Sequence, residues 1–532
     1  MSATKSAEAL DEARKMATIL DCVHFWAKET PDQLAVETLD QGKLTYSELA
    51  HRANNLAAAF HAIGLRAGDR VAIQLPSSPE FVTTYLACAI SGCVLTTLHM
   101  PYRQEELSPL LAFAGARAVV TAKVGRYDGP ATMQAIKSEI ETLEYVISVT
   151  EPNGDGHLHF DNLMADHVNA KITDGAGPEA EVALCFTSGT SAAPKGVIRK
   201  QKLMAQNAAR FTKMLSIGPE DRVMIAPPLT HVFGLLCAGN ALMAGATTIP
   251  IPVFTPETYG AYLTRMRPTV VYSAPAHLAA TLKSGVMDKM PPESVRDVIV
   301  GGSICPPEVA AQFEAKLPNG RVGCLFGMTE ALLATQTDPN DPAEIRHGTV
   351  GQLADDLKLR IISSTGEDVT DRGEGELQLS GYSILSEYLD NPEANKTSFT
   401  QDGWFRTGDL ASVDEAGNIM ITGRSKDIIN RGGIKINPAD IEKILDAHGD
   451  IVQSALVPMP DEVLGERICA YVVLREGTIL TLNDVCDYLG QQGVAKMRWP
   501  ERLEVLGEMP MTPTKKIIKP VLIADIRDKL AG

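Results

Sequence analysis

The stretch richest in groups that could do chemistry is TSGTSAAPKG, Thr187–Gly196. It gathers hydroxyls at Thr187, Ser188, Thr190 and Ser191, glycines at Gly189 and Gly196, and one ammonium at Lys195. The apolar run VALCF precedes it and reads as a buried strand, so the cluster begins at a strand end. Successive backbone N–H groups with Ser and Thr side chains make an anion-binding concavity, and Lys195 adds a point charge. The order is not the GxxxxGK[ST] of a Walker loop, and GVIRK after Lys195 reads as strand rather than helix. By residue type alone a plain surface loop is the commoner reading of such a cluster.

The elements that must position such a loop follow from length and pattern. A chain of 532 residues implies two to four domains at roughly 100–200 residues each. Hydrophobic residues at 45% and charged residues at 22% are those of a globular protein. Forty-nine basic against 66 acidic residues give a net charge of −17, which disfavours nucleic acid as a partner but leaves room for an anion in a local basic pocket. No apolar run reaches the ~18 residues of a membrane span, and the charged N-terminus lacks the pattern of a secretory signal. The nine cysteines are odd in number, scattered and never spaced CxxC, so neither a disulfide framework nor a zinc site is expected. A cytoplasmic protein is the expectation.

Helix-like stretches such as Thr45–Leu65 alternate with strand-like ones such as RVAIQLP (Arg70–Pro76) over the first ~180 residues, predicting a mostly parallel α/β sheet. Short apolar runs ending in turn residues recur from Val182 to about Leu325, and in such sheets ligands sit beyond the carboxyl ends of the strands. After about Gly351, strand-turn-strand patterns predict a β-rich subdomain. GRSKDIINRGG (Gly423–Gly433) is charged and Gly-bounded and is the linker candidate. Beyond it, two helical and two strand-like stretches predict a compact α+β module.

With FGMTE (Phe326–Glu330), TGDL (Thr407–Leu410), GRSKD (Gly423–Asp427) and PMTPTKKIIK (Pro510–Lys519) following in order, the chain resembles the adenylate-forming superfamily. That superfamily comprises acyl-CoA synthetases, carrier-protein adenylation enzymes and luciferases. The resemblance spans about Leu44 to Lys519 and implies a large N-terminal domain, 1–425, and a small mobile C-terminal domain, 426–532. It also implies a two-step reaction. A carboxylate attacks the α-phosphate of MgATP to give an acyl-adenylate and pyrophosphate, and a thiol then displaces AMP.

Roles follow by resemblance. Thr187, Ser188, Gly189, Thr190, Ser191 and Lys195 would wrap the β- and γ-phosphates. Thr329 would contact phosphate and Glu330 would hold Mg²⁺. Phe326, Gly327 and Met328 would flank the adenine and the acyl group, with Gly301, Gly302 and Ser303 as a backbone wall. Asp409 would take the ribose hydroxyls, with Arg424 beside it. Lys516 would bridge carboxylate and α-phosphate, although Lys515 stands where relatives carry glycine. Lys426 would be the hinge about which the small domain turns, after which Gly432, Gly433 and Lys435 would line the path of the pantetheine thiol. Cys324 stands where many relatives carry an Asn or Asp that reads adenine, which leaves that task to backbone carbonyls.

His231, in PPLTHVFGL, would gate the carboxylate pocket. The stretches GRSKDIINRGG, ADIEKIL and MPDEVLGER resemble those of alicyclic or aromatic acid CoA ligases and of free-standing aryl-acid AMP ligases. The latter place Asn after the His to bind an ortho-hydroxyl, whereas here Val232 and Cys237 occupy the corresponding places. A site without such donors disfavours the hydroxylated acid. The expectation is therefore a cyclic, aromatic or medium-length acid with coenzyme A as thiol. The alternative is an aryl-acid AMP ligase loading a carrier-protein phosphopantetheine, and further readings are a luciferase-like oxygenase or a non-enzymatic protein. A monomer or homodimer is expected.

Overall fold

The structure, a computed structural model, describes the chain apart from residues 1–2, 151–155, 168–175, 188–193, 290–291, 433, 462, 513–515 and 532. Two compact units form. One comprises residues 1–305, 309–347 and 382–397, the other 306–308, 348–381 and 398–532.

The first unit is built on two sheets. One runs in the order Gly196–Lys200, Glu181–Phe186, Val94–Thr97, Arg70–Gln74, Ala116–Thr121, Tyr145–Ser148, Leu158–His159. All its pairings are parallel except that of Gly196–Lys200 with Glu181–Phe186. In the other, Arg321–Met328, Asp297–Val300, Val270–Ser273, Arg222–Ile225, Thr247–Pro250 and Leu34–Glu37 are successive parallel neighbours. Leu332–Gln336 returns antiparallel beside Arg321–Met328.

Local chemistry sets the helices between them. Ser78 caps helix Pro79–Ser91 by accepting from the Phe81 N–H, Pro79 presets its first turn, and Gly92 ends it in a left-handed conformation. Every residue of that helix but Glu80 is buried; its threonine hydroxyls are met within the helix, Thr83 Oγ1 donating to the Pro79 carbonyl and Thr84 Oγ1 to that of Glu80. The predicted helix at Thr45–Leu65 is Tyr46–Ala62, opened by a capping box of Thr45 and Glu48. One continuous core runs from Val71, Ile73 and Leu95 of the first sheet through helices Pro79–Ser91 and Val232–Met243 to Val223, Ile225, Val270 and Ile299 of the second.

The second unit holds the predicted β-rich subdomain as an antiparallel sheet of Leu357–Ile362, Gly375–Gly381, Phe405–Val413 and Ile419–Arg424. Its C-terminal module pairs Ile451–Asp461 with Gly465–Leu474, against which helices Pro438–Asp446 and Lys519–Ala531 pack. The linker candidate is more ordered than expected. A single 3-10 turn, Ser425–Asp427, separates strand Ile419–Arg424 from strand Ile429–Arg431. Ile429 is fully buried and pairs with Ile436, so apolar burial turns half of the charged stretch into sheet. Among the described residues no helix is long and apolar enough to cross a membrane.

Candidate active site

Strand Glu181–Phe186 delivers Thr187 to its carboxyl end, where the Thr187 N–H donates to the Lys195 carbonyl at 3.0 Å and closes the loop. Ser188, Gly189, Thr190 and Ser191 lie outside the described residues. The loop's exit is clamped by a distant segment of the same unit. Asn391 Nδ2 donates to the Pro194 carbonyl at 3.1 Å and the Leu389 N–H donates to the Gly196 carbonyl at 2.9 Å. The Lys195 ammonium stands 5.1 Å from the centre of the Tyr388 ring.

The FGMTE turn meets the same segment. Glu330 is 7% exposed, and its Oε1 accepts from the Tyr388 hydroxyl at 2.8 Å. Its backbone carbonyl accepts from the Leu385 N–H at 2.8 Å. Arg199, 1% exposed on the strand that follows the loop, donates through Nε and Nη2 to the Thr329 carbonyl and through Nη1 to the Ser383 carbonyl at 3.2 Å. Burial lowers its pKa to about 10 against the pull of Glu330, and it remains a cation at neutral pH. Thus one buried guanidinium ties the Thr329–Glu330 turn to the 382–397 segment. Sequence reading passed over Arg199, Tyr388 and Ser383. The signal for Arg199 was an arginine next to the apolar run Val197–Ile198 of a short strand, whereas Tyr388 carried none.

Phe326 is half-buried, its N–H donating to Thr335 Oγ1 at 3.0 Å. The Cys324 carbonyl accepts from Thr337 N–H at 3.0 Å, and the thiol is buried. Strand Asp297–Val300 ends in the glycine pair. Leu325 Cδ1 would lie 2.5 Å from a Cβ on Gly301, and Gly302 has φ +90°, so neither position admits a side chain without displacement or strain. Ser303 is exposed. Gly327 and Met328 are half-buried.

His231 caps helix Val232–Met243, its Nδ1 accepting from the Phe233 N–H at 3.3 Å. Its ring lies 6.2 Å from that of His99, near parallel. His99 is buried, which lowers its pKa to about 4 and keeps it neutral, and its Nδ1 is 2.9 Å from Thr230 Oγ1. Val232 and Cys237 are buried.

In the second unit, Asp409 and Arg424 face each other across neighbouring strands. Asp409 is 5% exposed, and Arg424 Nε donates to its Oδ1 at 3.0 Å. Burial raises the Asp409 pKa, against the opposing pull of Arg424, Lys516 and Lys426, so these three cations share one electrostatic neighbourhood with it. The terminal motif folds back on itself. The Lys516 N–H donates to Thr512 Oγ1 at 3.0 Å and the Thr512 N–H to the Lys516 carbonyl at 2.7 Å. Lys515 lies outside the described residues. Lys519 is committed to Glu442 at 2.8 Å. Lys426 is exposed in the 3-10 turn, and Gly432 and Lys435 are exposed at the hairpin tip, with Gly433 outside the described residues.

A body of parallel α/β sheets carrying a strand-end loop and an acidic turn, followed by a small α+β module, is the fold of the adenylate-forming enzymes. The chain belongs to the AMP-binding enzyme family, whose model matches residues 23–389, with the AMP-binding enzyme C-terminal domain matching 440–516. It is 30% identical to the medium-chain fatty-acid–CoA ligase of Escherichia coli, over 97% of this chain and 91% of that one. It is 32% identical to the salicyl-AMP ligase / salicyl-S-ArCP synthetase of Mycobacterium tuberculosis, over 96% and 91%. ATP-bound MatB from Rhodopseudomonas palustris matches with a TM-score of 0.86 at 28% identity, covering 96% and 99%.

Proposed function

We propose that this protein is an AMP-forming acid–thiol ligase that activates a cyclic, aromatic or medium-length carboxylic acid and passes the acyl group to coenzyme A. The observation that carries this reading is the turn Thr329–Glu330, held by buried Arg199 and by Tyr388 in the segment that also clamps the Thr187–Lys195 loop. Cation, hydroxyls and carboxylate are thereby offered by one stiff frame at the carboxyl ends of strands.

In the first step a carboxylate oxygen bonds to the α-phosphorus of ATP and the bond to the bridging oxygen breaks, releasing pyrophosphate. Negative charge accumulates, so preorganised positive groups lower the barrier. Thr187, Lys195 and Thr329 hold the leaving phosphates, and Lys516 neutralises the carboxylate and α-phosphate as they meet. Phe326 lies against adenine opposite Gly301–Ser303, and Asp409 accepts from the ribose hydroxyls. In the second step the thiol sulfur attacks the acyl carbon and AMP leaves. His231 moves aside to admit it, and the module beyond Lys426 turns to bring Gly432, Gly433 and Lys435 along its path. The division into 1–425 and 426–532 is thus one of movement, a separate question from which strands pack together.

Glu330 fits a magnesium ion. It is a buried carboxylate whose Oε1 accepts from the Tyr388 hydroxyl, an oxygen donor of the kind that magnesium takes alongside substrate phosphates. When bound, the ion neutralises phosphate charge. All nine cysteines are free thiols, which suits a reducing, cytoplasmic setting.

Carrier loading is the second reading, favoured by the likeness to the salicyl-AMP ligase and opposed by Val232, whose apolar side chain offers a salicylate hydroxyl no partner. Pyrophosphate release over a panel of acids, with and without coenzyme A, tests both. Thioester on coenzyme A is the expected result, and thioester on a carrier protein alone would replace the first reading with the second.

A further inference from the structure

Gln336 is 2% exposed, yet among the described residues neither its amide nitrogen nor its amide oxygen has a hydrogen-bond partner. Native proteins pair nearly all buried polar groups, because stripping water from an unpaired donor or acceptor is costly. A side chain orphaned at both ends is therefore waiting for something.

Its position says where. Gln336 ends strand Leu332–Gln336 and stands directly opposite Leu325, and directly opposed residues of an antiparallel pair share one face. Leu325 on that face lies against Gly301, as does the Phe233 ring of helix Val232–Met243. That helix packs against strand Leu332–Gln336. Leu325, Leu332, Leu333, Phe233 and Leu236 belong to one apolar cluster. These elements carry the acyl-pocket residues of the function proposed above, on which this inference rests. The helix leads away from His231 at 1.5 Å per residue, and deep along it Asn240 is fully buried with its Oδ1 also unpartnered among the described residues, while its Nδ2 donates to the Tyr272 hydroxyl at 3.0 Å. Unmet hydrogen-bonding capacity thus lies at the end remote from the carboxylate.

We propose that Gln336 reads a neutral hydroxyl at the far end of the acid. A hydroxyl both donates and accepts, so it satisfies Oε1 and Nε2 of one amide together. This differs from an ortho-hydroxyl beside the carboxylate, which Val232 disfavours.

The test compares kcat/KM for phenylpropanoate with its para-hydroxy analogue, and for octanoate with its terminally hydroxylated analogue, in the full chain and in Gln336→Met. The native protein is expected to favour at least one hydroxylated acid by about tenfold or more. Gln336→Met should erase that ratio, speed the plain acids and leave Tm unchanged or raised. No preference in the native protein overturns the inference without any variant being needed. An equal loss on both members of each pair, with a lowered Tm, also overturns it, since Gln336 would then hold a structural water. Acids activated without hydroxyl dependence leave the ligase reading standing, whereas no pyrophosphate release with any acid removes both.

Discussion

Two carboxylate–arginine pairs, one in each compact unit, have opposite electrostatics. Glu314 receives a fork from Arg346, with Nη2 on Oε1 at 3.0 Å and Nη1 on Oε2 at 2.5 Å, and Oε2 also receives the Val322 N–H at 2.6 Å and lies 3.0 Å from His347 Nε2. Burial opposes its ionisation, but these donors outweigh burial and hold its pKa at about 2. Asp409 is more buried and receives one guanidinium N–H, from an arginine whose side chain is 45% exposed. There burial wins and the pKa rises. A carboxylate saturated with donors is a rivet, whereas one kept buried and short of donors has capacity left for a ligand. This is the physical reason to read Asp409, rather than Glu314, as the group that accepts from ribose.

The comparison breaks most visibly at Lys516, which belongs to the neighbourhood of Asp409. Lys516→Ala should slow adenylation by about 3–5 kcal/mol, as expected for loss of a charge aimed at the transition state. Thioester formation from supplied acyl-adenylate should survive. Pyrophosphate release and single-turnover thioester assays separate the two, and the same loss from Lys515→Ala with Lys516→Ala intact would move the role by one residue.

Lys426 tests the same unit by motion rather than charge. Lys426→Pro fixes φ near −65° and removes an N–H. Adenylate should still accumulate in a single turnover while steady-state acyl-CoA production falls by well over tenfold, more than ~1.4 kcal/mol. Equal loss of both would indicate a broken turn, and an unchanged thioester rate would place the pivot elsewhere.

Glu314 sharpens the other side. Its pKa is lowered from 4.5 to about 2, so its contribution is fully present above the unfolded value and is lost as pH falls from about 4.5 toward 2. At neutral pH that contribution is up to about 3 kcal/mol. Glu314→Gln should lower Tm at neutral pH and flatten the acid limb of the stability curve, read by thermal unfolding across pH.

Much of this was legible in the sequence, for a local reason. Thr187–Gly196, FGMTE and TGDL are contiguous, and the helical spacing over Thr45–Leu65 repeats turn by turn. What was not legible joins distant residues. Arg199 reaches Thr329, Tyr388 reaches Glu330, and Arg346 reaches Glu314, and no short pattern announces such a partner. The ordering of Ile429–Arg431 was hidden differently, because the charges around Ile429 masked one fully buried side chain.

The smallest effect is expected at Asp409 itself, and its sign is the sharpest test of the contrast. A raised folded-state pKa means that the ionised form is less favourable in the folded protein than in the unfolded chain. The attraction of Arg424, Lys516 and Lys426 is already included in that balance. Stability is therefore greatest below the unfolded pKa and is lost as pH rises through the folded one. Asp409→Asn keeps the shape, removes the charge and should raise Tm slightly at neutral pH, whereas Glu314→Gln lowers it. The gain should shrink as pH falls through the raised Asp409 pKa toward the ordinary aspartate value of 3.8. The same variant should weaken ATP binding, because an amide oxygen is a poorer acceptor for ribose hydroxyls than a carboxylate. A stabilised protein with a raised KM for ATP marks a group held against folding for its ligand; a destabilised one would make Asp409 a second rivet like Glu314 and return the ribose role to another residue.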